Sequence, residues 1–227
     1  MQQREGSDSR PDIASLILVH GAGSGPWVYD SWRSCFEGIT VGCPDLHAGQ
    51  SVARASMWDY AQAVADTAAT LAAPIALCGW SMGGLVALMA AARVRPQSLI
   101  LVEPSPPAEV QGFKPDVELR EGSFDPEVVY GPFPSHVGSR PESEYARRER
   151  KRGISVPSVL CSCLVIYGNE FPEDRGRRIA RLYGADEMSF PDLDHWGLVV
   201  DPRVPDAIAS HVRAGRSHAT LGESDLR

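Results

Sequence analysis

The sequence predicts an α/β fold of about six mostly parallel strands, with helices on both faces and a small inserted lid. Three observations carry this expectation. The runs 16–19, 75–78, 99–102 and 163–167 are short and continuously apolar, as strands covered on both faces must be. Helical patterns separate most of them, which calls for right-handed crossovers and a parallel sheet. Between Ser105 and Pro157 that rhythm breaks, with frequent Pro and Gly and weak periodicity, and then it returns.

Taken in order, a polar leader (1–12) precedes the first strand, Leu16-Ile17-Leu18-Val19, which His20-Gly21 bounds. A second short strand spans Thr40 to Cys43. Ser56 and Asp59 then form a capping-box pattern ahead of Ala61, Val64, Ala65, Ala68 and Leu71, which share one helical face. Pro74 closes that helix and opens the third strand, Ile75 to Cys78. Gly83 to Ala92 is apolar all round, so this helix is expected to be buried on most sides. Leu99 to Val102 is the fourth strand. After the interruption, and a charged helix near Glu142 to Arg152, come a strand at Cys163–Tyr167 and a helix at Pro172–Tyr183. That helix has acids in its first turn, arginines in its last turns and Gly184 as its stop. Glu187 to Phe190 is a sixth strand, and a final helix starts near Pro202 or Pro205. A polar tail (216–227) follows. The expectation is one domain over 1–227, with the lid at about 105–157.

Composition narrows the function classes. Hydrophobic residues make up 43% and charged residues 22%, which excludes a disordered or fibrous chain. A net charge of −7 and a pI near 5.4 give no global attraction to nucleic acid or anionic lipid. No apolar run approaches the ~18 residues of a membrane span. Five cysteines, an odd number, do not suggest a disulfide framework, and Cys78, Cys161 and Cys163 lie in apolar runs. A reduced, cytoplasmic protein is expected.

The strongest chemical signal is Gly79-Trp80-Ser81-Met82-Gly83, with Gly84 behind it. It fits G-x-S-x-G between a strand and a helix, where Ser81 is a nucleophile on a tight turn. A glycine-rich strand–helix junction without catalysis is the plainer account, and the context argues against it. The second signal is the loop from His20 to Trp27. The backbone N–H groups of Ala22 and Met82 are the expected oxyanion donors. The loop lacks a dinucleotide or phosphate-loop pattern. The third is His195, in the segment Asp194-His195-Trp196-Gly197. Of six histidines it alone lies in the loop directly after the last strand, where the Ser…acid…His order puts the base. For the acid, Glu170 is preferred, because it follows the penultimate strand. Glu103, at the end of the fourth strand, is the alternative. Asp174 reads as helix-start charge, and Asp194 as pointing away from its neighbour.

Together these motifs, with Pro44-Asp45-Leu46, Gly49 and Ser51, resemble the α/β-hydrolase superfamily over Leu16 to about Ala214. The elbow is similar to those of small carboxylesterases, including ones that cleave pimeloyl esters. The loop His20 to Trp27 is similar to that of plant esterases and hydroxynitrile lyases. Two departures stand out. Few residues precede the first strand, so a six-strand sheet is expected. Phe171 also stands where the family places its aspartate, which is why Glu170 or Glu103 must serve.

The expected function is a serine hydrolase acting on a small to medium ester, lactone or thioester through an acyl-enzyme. It would need no cofactor and no metal. A lyase using the same Ser/His pair and a non-catalytic small-ligand receptor are the alternatives. Trp27, Trp80, Trp196 and Phe133 are the expected substrate-binding side chains, with Phe113, Phe124 and Tyr130 as further walls from the lid. The cluster Arg147, Arg148, Arg150, Lys151 and Arg152 reads first as a solvated face. Its sharper reading is a dock for an acyl carrier protein or coenzyme A. Oligomeric state is left open by the sequence.

Overall fold

Six strands form one parallel sheet in the computed structural model, which describes residues 12–214. In chain order they are β1 (Ser15–Val19), β2 (Thr40–Gly42), β3 (Ile75–Trp80), β4 (Ser98–Val102), β7 (Ser162–Tyr167) and β8 (Asp186–Ser189). Their spatial order is β2-β1-β3-β4-β7-β8, and each adjacent pair is parallel. The predicted six-strand sheet is therefore what forms. The tails outside 12–214, where the polar leader and tail were expected, lie outside the described residues.

Alternation along each strand sorts the core into two layers. Ile17, Val19, Leu77, Leu99, Leu101 and Val165 face α1 (Met57–Ala69) and α2 (Met82–Val94). Leu16, Leu18, Ala76, Cys78, Ile100, Val102 and Ile166 face the opposite way. There they meet a 3₁₀ segment at Pro26–Cys35 and the C-terminal helices α7 (Gly197–Val200) and α8 (Arg203–Ala214). Helix α2 is buried from Met82 to Ala90, as its all-round apolar sequence requires. Helix α1 begins on the predicted capping box, with Ser56 and Asp59 exchanging hydrogen bonds.

The region between β4 and β7 holds α3 (Ala108–Gln111), α4 (Pro126–Tyr130) and α5 (Glu144–Arg152). It also holds a two-stranded antiparallel ribbon, β5 (Ser123–Phe124) with β6 (Glu142–Ser143). The charged helix thus starts two residues later than its charge pattern suggests, because Ser143 caps it by accepting from Ala146 N–H. The stretch expected as one helix from Pro172 winds as a π-helix at Pro172–Arg177 and then as α6 (Arg178–Tyr183). Gly184 closes it at φ 58°, the left-handed stop its position predicts.

Candidate active site

Ser81 stands between β3 and α2 at φ 57° and ψ −122°. A non-glycine residue held there costs on the order of 1–3 kcal/mol, and its surroundings fix it. Its N–H donates to Val102 O at 3.0 Å, while its carbonyl accepts from Gly84 at 3.1 Å and Ser105 at 2.8 Å. A Cβ on Gly79 would lie 2.2 Å from Gly83 O, and one on Gly83 would lie 2.0 Å from Val19 O. Only glycine lets the turn close, which presents the serine side chain at the C-terminal edge of the sheet.

His195 lies in the loop after β8. Its ring sits 4.9 Å from the Trp80 ring, tilted by 30°, and edge-on to Phe171 at 6.0 Å. Trp80 Nε1 donates to His195 O at 3.1 Å. The preference for Glu170 as the carboxylate on the imidazole does not hold. His195 Nδ1 is hydrogen-bonded to Glu103 Oε2. Glu103 extends the ladder between β4 and β7 by one residue, its N–H donating to Ile166 O at 2.7 Å. At φ 41° the chain then turns, and the side chain is fully buried. Its second oxygen accepts from Gly168 N–H at 3.1 Å. Glu170 is exposed and accepts from the backbone N–H of His195 at 3.2 Å. Asp194 accepts from Gly197 N–H at 2.6 Å, and Asp174 pairs with Arg178 at 2.9 Å, so neither approaches the imidazole ring through those contacts.

The loop after β1 is clamped from the region between β4 and β7. Glu142, fully buried, accepts from Gly23 N–H at 2.9 Å, Tyr60 Oη at 2.6 Å and Ser143 N–H at 2.9 Å, and bonds His47 Nε2 at 3.0 Å. Burial alone would raise its carboxyl, but the His47 contact and the other donors bring it down to about 2. Arg140 binds Asp45 through both guanidinium arms, at 2.6 and 3.0 Å, and donates to Gly23 O and Ser24 O. The Arg140 hydrogen bonds hold Asp45 down at about 2, against its partial burial. His20 is neutral by construction. Nδ1–H donates to Gly21 O at 2.9 Å, while Nε2 faces Leu46 N–H and the Arg140 guanidinium. Burial pushes its pKa down to about 4. Among the described residues the N–H groups of Ala22 and Met82 have no protein acceptor.

Ser81 and His195 line one cavity of about 270 Å³, with Trp80, Trp196, Phe133, Tyr130, Phe171 and Ala22 as walls. Three of the four expected substrate-binding side chains are thus on it. Trp27 is not: its ring folds back over Gly25 beneath Arg140 and lines a separate depression with Val28 and Val200. Phe124 meets Tyr130 edge-on and is not on the cavity, and Phe113 lies under Arg152. Two further residues lie on the cavity: Arg150 from α5, which the sequence marked only as part of a basic cluster, and Arg175 from the π-helix, which it did not mark. Nor did it point to Glu142, 119 positions from Gly23. Glu103 did leave a mark, a carboxylate closing an otherwise apolar strand.

No helix among the described residues is long and apolar enough to cross a membrane. The model of the alpha/beta hydrolase family matches residues 16–224. No curated protein sequence matches the chain. Among solved structures, a pyrethroid hydrolase from Sphingobium faniae JZ-2 is similar at 20% identity and a TM-score of 0.65, covering 89% of this chain and 98% of its own. The type II thioesterase BorB of the borrelidin biosynthetic cluster is 18% identical, with a TM-score of 0.60 and coverage of 94% and 95%. Est1E from Butyrivibrio proteoclasticus, solved with ferulic acid bound, is 19% identical with a TM-score of 0.60, covering 92% and 90%. At these identities the likeness is one of fold. The family match spans most of the sequence, and the chain belongs to the alpha/beta hydrolase family.

Proposed function

We propose that this protein is a serine hydrolase of a small to medium ester, lactone or thioester, with Ser81 as nucleophile, His195 as base and Glu103 as the acid behind it. The observation that carries the reading is the buried Glu103 carboxylate on His195 Nδ1, beside a cavity that Ser81 and His195 share. Glu103 holds the proton on Nδ1 and leaves Nε2 free to accept. Ser81 Oγ then attacks the carbonyl carbon as His195 takes its proton. The oxyanion meets the N–H groups of Ala22 and Met82, the latter at the N-terminus of α2 with its dipole. Collapse breaks the bond to the leaving group, which His195 protonates. Water, deprotonated by His195, cleaves the acyl-enzyme and returns Ser81 and a free acid. The region 105–157 acts as the lid, contributing Tyr130 and Phe133. Coenzyme A and acyl carrier protein are the thioester donors this reading admits. Five free thiols suit a reducing cytoplasm.

A fluorophosphonate tests it. Native protein should gain one covalent adduct, and Ser81→Ala none. On an activated ester, Ser81→Ala should lose kcat by up to ~10⁶-fold, as removal of a triad nucleophile does elsewhere. Labelling or retained turnover of the variant removes Ser81 from the mechanism. Release of an aldehyde without an acyl-enzyme would make the protein a lyase. Tight ligand binding without turnover would make it a receptor.

A further inference from the structure

Two guanidinium groups face the cavity that holds Ser81, and neither makes an ion pair among the described residues. Arg150 donates to Ser105 Oγ at 3.3 Å and Tyr130 Oη at 3.0 Å, both neutral, and its Nε is buried without an acceptor. Arg175 lies over the Phe171 ring, 4.2 Å from its centroid. The neighbouring helix positions behave differently: Arg147 and Arg148 both pair with Glu144. Half-burying two cations with no direct ion pair is costly, and an arriving anion relieves that cost. Burial indeed pulls the Arg175 pKa down, with Arg150 adding to the fall and the Glu103 and Glu170 charges opposing it.

We infer that Arg150 and Arg175 form a subsite for a carboxylate carried by the substrate itself, away from the scissile bond. The fork of N–H donors on each guanidinium matches a carboxylate in two-point geometry. Charge favours a monoanion. Glu170 also lines the cavity and the Glu103 charge acts on Arg175, so the two guanidiniums are partly offset and suit one negative charge better than two. Size agrees, since about 270 Å³ is just below the roughly 300 Å³ where small-molecule sites begin. The substrates are thus half-esters or half-thioesters of small diacids, or esters of a carboxylate-bearing alcohol. This inference rests on the serine-hydrolase reading and narrows its substrate class.

The test compares matched esters on the full chain. In one series 4-nitrophenyl adipate is set against its methyl-capped neutral counterpart and an ω-phosphonate of equal length. In the other, 4-carboxyphenyl hexanoate is set against its methyl-capped form. The readout is the ratio of kcat/KM, anionic over neutral, which is insensitive to how much active enzyme a preparation contains. A ratio of about ten or more in either series is expected, from one charge-assisted contact. It should fall towards one in Arg150→Gln and Arg175→Gln and recover partly in Arg150→Lys and Arg175→Lys. A wild-type ratio near one or below in both series overturns the inference, whatever the variants do. A phosphonate preferred over the carboxylate overturns the choice of a monoanion. Wild-type protein that hydrolyses none of the esters overturns the serine-hydrolase reading instead.

Discussion

The two sides of the cavity are built on different principles. On the sheet side, Ser81 and Glu103 sit where adjacent parallel strands end, both at positive φ, and backbone hydrogen bonds from neighbouring strands fix them. On the side formed by residues 105–157, Glu142 and Arg140 reach back to hold the loop at Gly23 and Ser24 through buried charge. The first arrangement is local geometry repeated along a sheet edge. The second is a network of ionisable side chains brought together across about a hundred residues. Changes on the sheet side should therefore fall on chemistry, and changes in the network on stability and its pH dependence.

The largest expected effect separates the two carboxylates near His195. Glu103→Gln keeps shape but offers an amide to Nδ1 and favours the wrong tautomer, so kcat should drop by up to about 10⁴-fold. Glu170→Gln, at an exposed residue whose hydrogen bond is to the His195 backbone and not to its ring, should cost less than about tenfold. Measuring kcat on an activated ester for both variants decides it. A larger loss at 170 would return the acid to the loop after β7.

Next in size is Glu142→Ala. Removing this buried carboxylate strands the N–H groups of Gly23 and Ser143 and leaves His47 Nε2 and Tyr60 Oη only each other, at 2.9 Å. The expected loss is about 3 kcal/mol of folding stability, read as a lower urea midpoint. Glu103→Gln, which is isosteric, should move that midpoint much less. If the two variants exchange behaviour, the contrast between the two sides is broken.

His20 sharpens the same contrast through pH. Its folded pKa, lowered by burial to about 4, lies below the ordinary 6.5. Between those values the unfolded chain binds the proton and the folded chain does not. Stability should fall as pH drops from about 6.5 to 4, by up to about 3 kcal/mol, and be unaffected by this group above 7. Glu142, with its folded pKa depressed to about 2, adds a further loss only below its ordinary value of 4.5. Urea midpoints at pH 7, 5.5 and 4.5 check this. His20→Gln should flatten the slope above 4.5, and an unchanged slope would place the acid sensitivity elsewhere.

The smallest expected effect is at Arg147 and Arg148 of α5. Arg147 and Arg148 share Glu144, at 2.7 and 2.5 Å. Reversing both to Glu should shift KM for an acyl-coenzyme A by less than about threefold at 0.15 M salt, where screening acts over ~8 Å. A tenfold rise that fades at high salt would make this face the acidic-carrier dock.

The sequence by itself determined the sheet, the tight turn at Ser81 and the place of His195 after the last strand, because each is written in neighbouring residues. Continuous apolar runs mark β1, β3, β4 and β7, and glycines at 79 and 83 mark a turn with no room for side chains. His195 is marked by its place after the last strand. The tertiary structure alone decided which carboxylate meets the imidazole, since Glu103 and Glu170 both follow strand ends on the same edge. There, burial at the end of β4 and the approach of Gly168 N–H set the partner. It alone also brought Glu142 to Gly23, turned Trp27 out of the cavity and turned Arg150 and Arg175 into it. Periodicity records which face of an element is apolar. It carries no trace of which charged side chain, far away in the chain, will close on it.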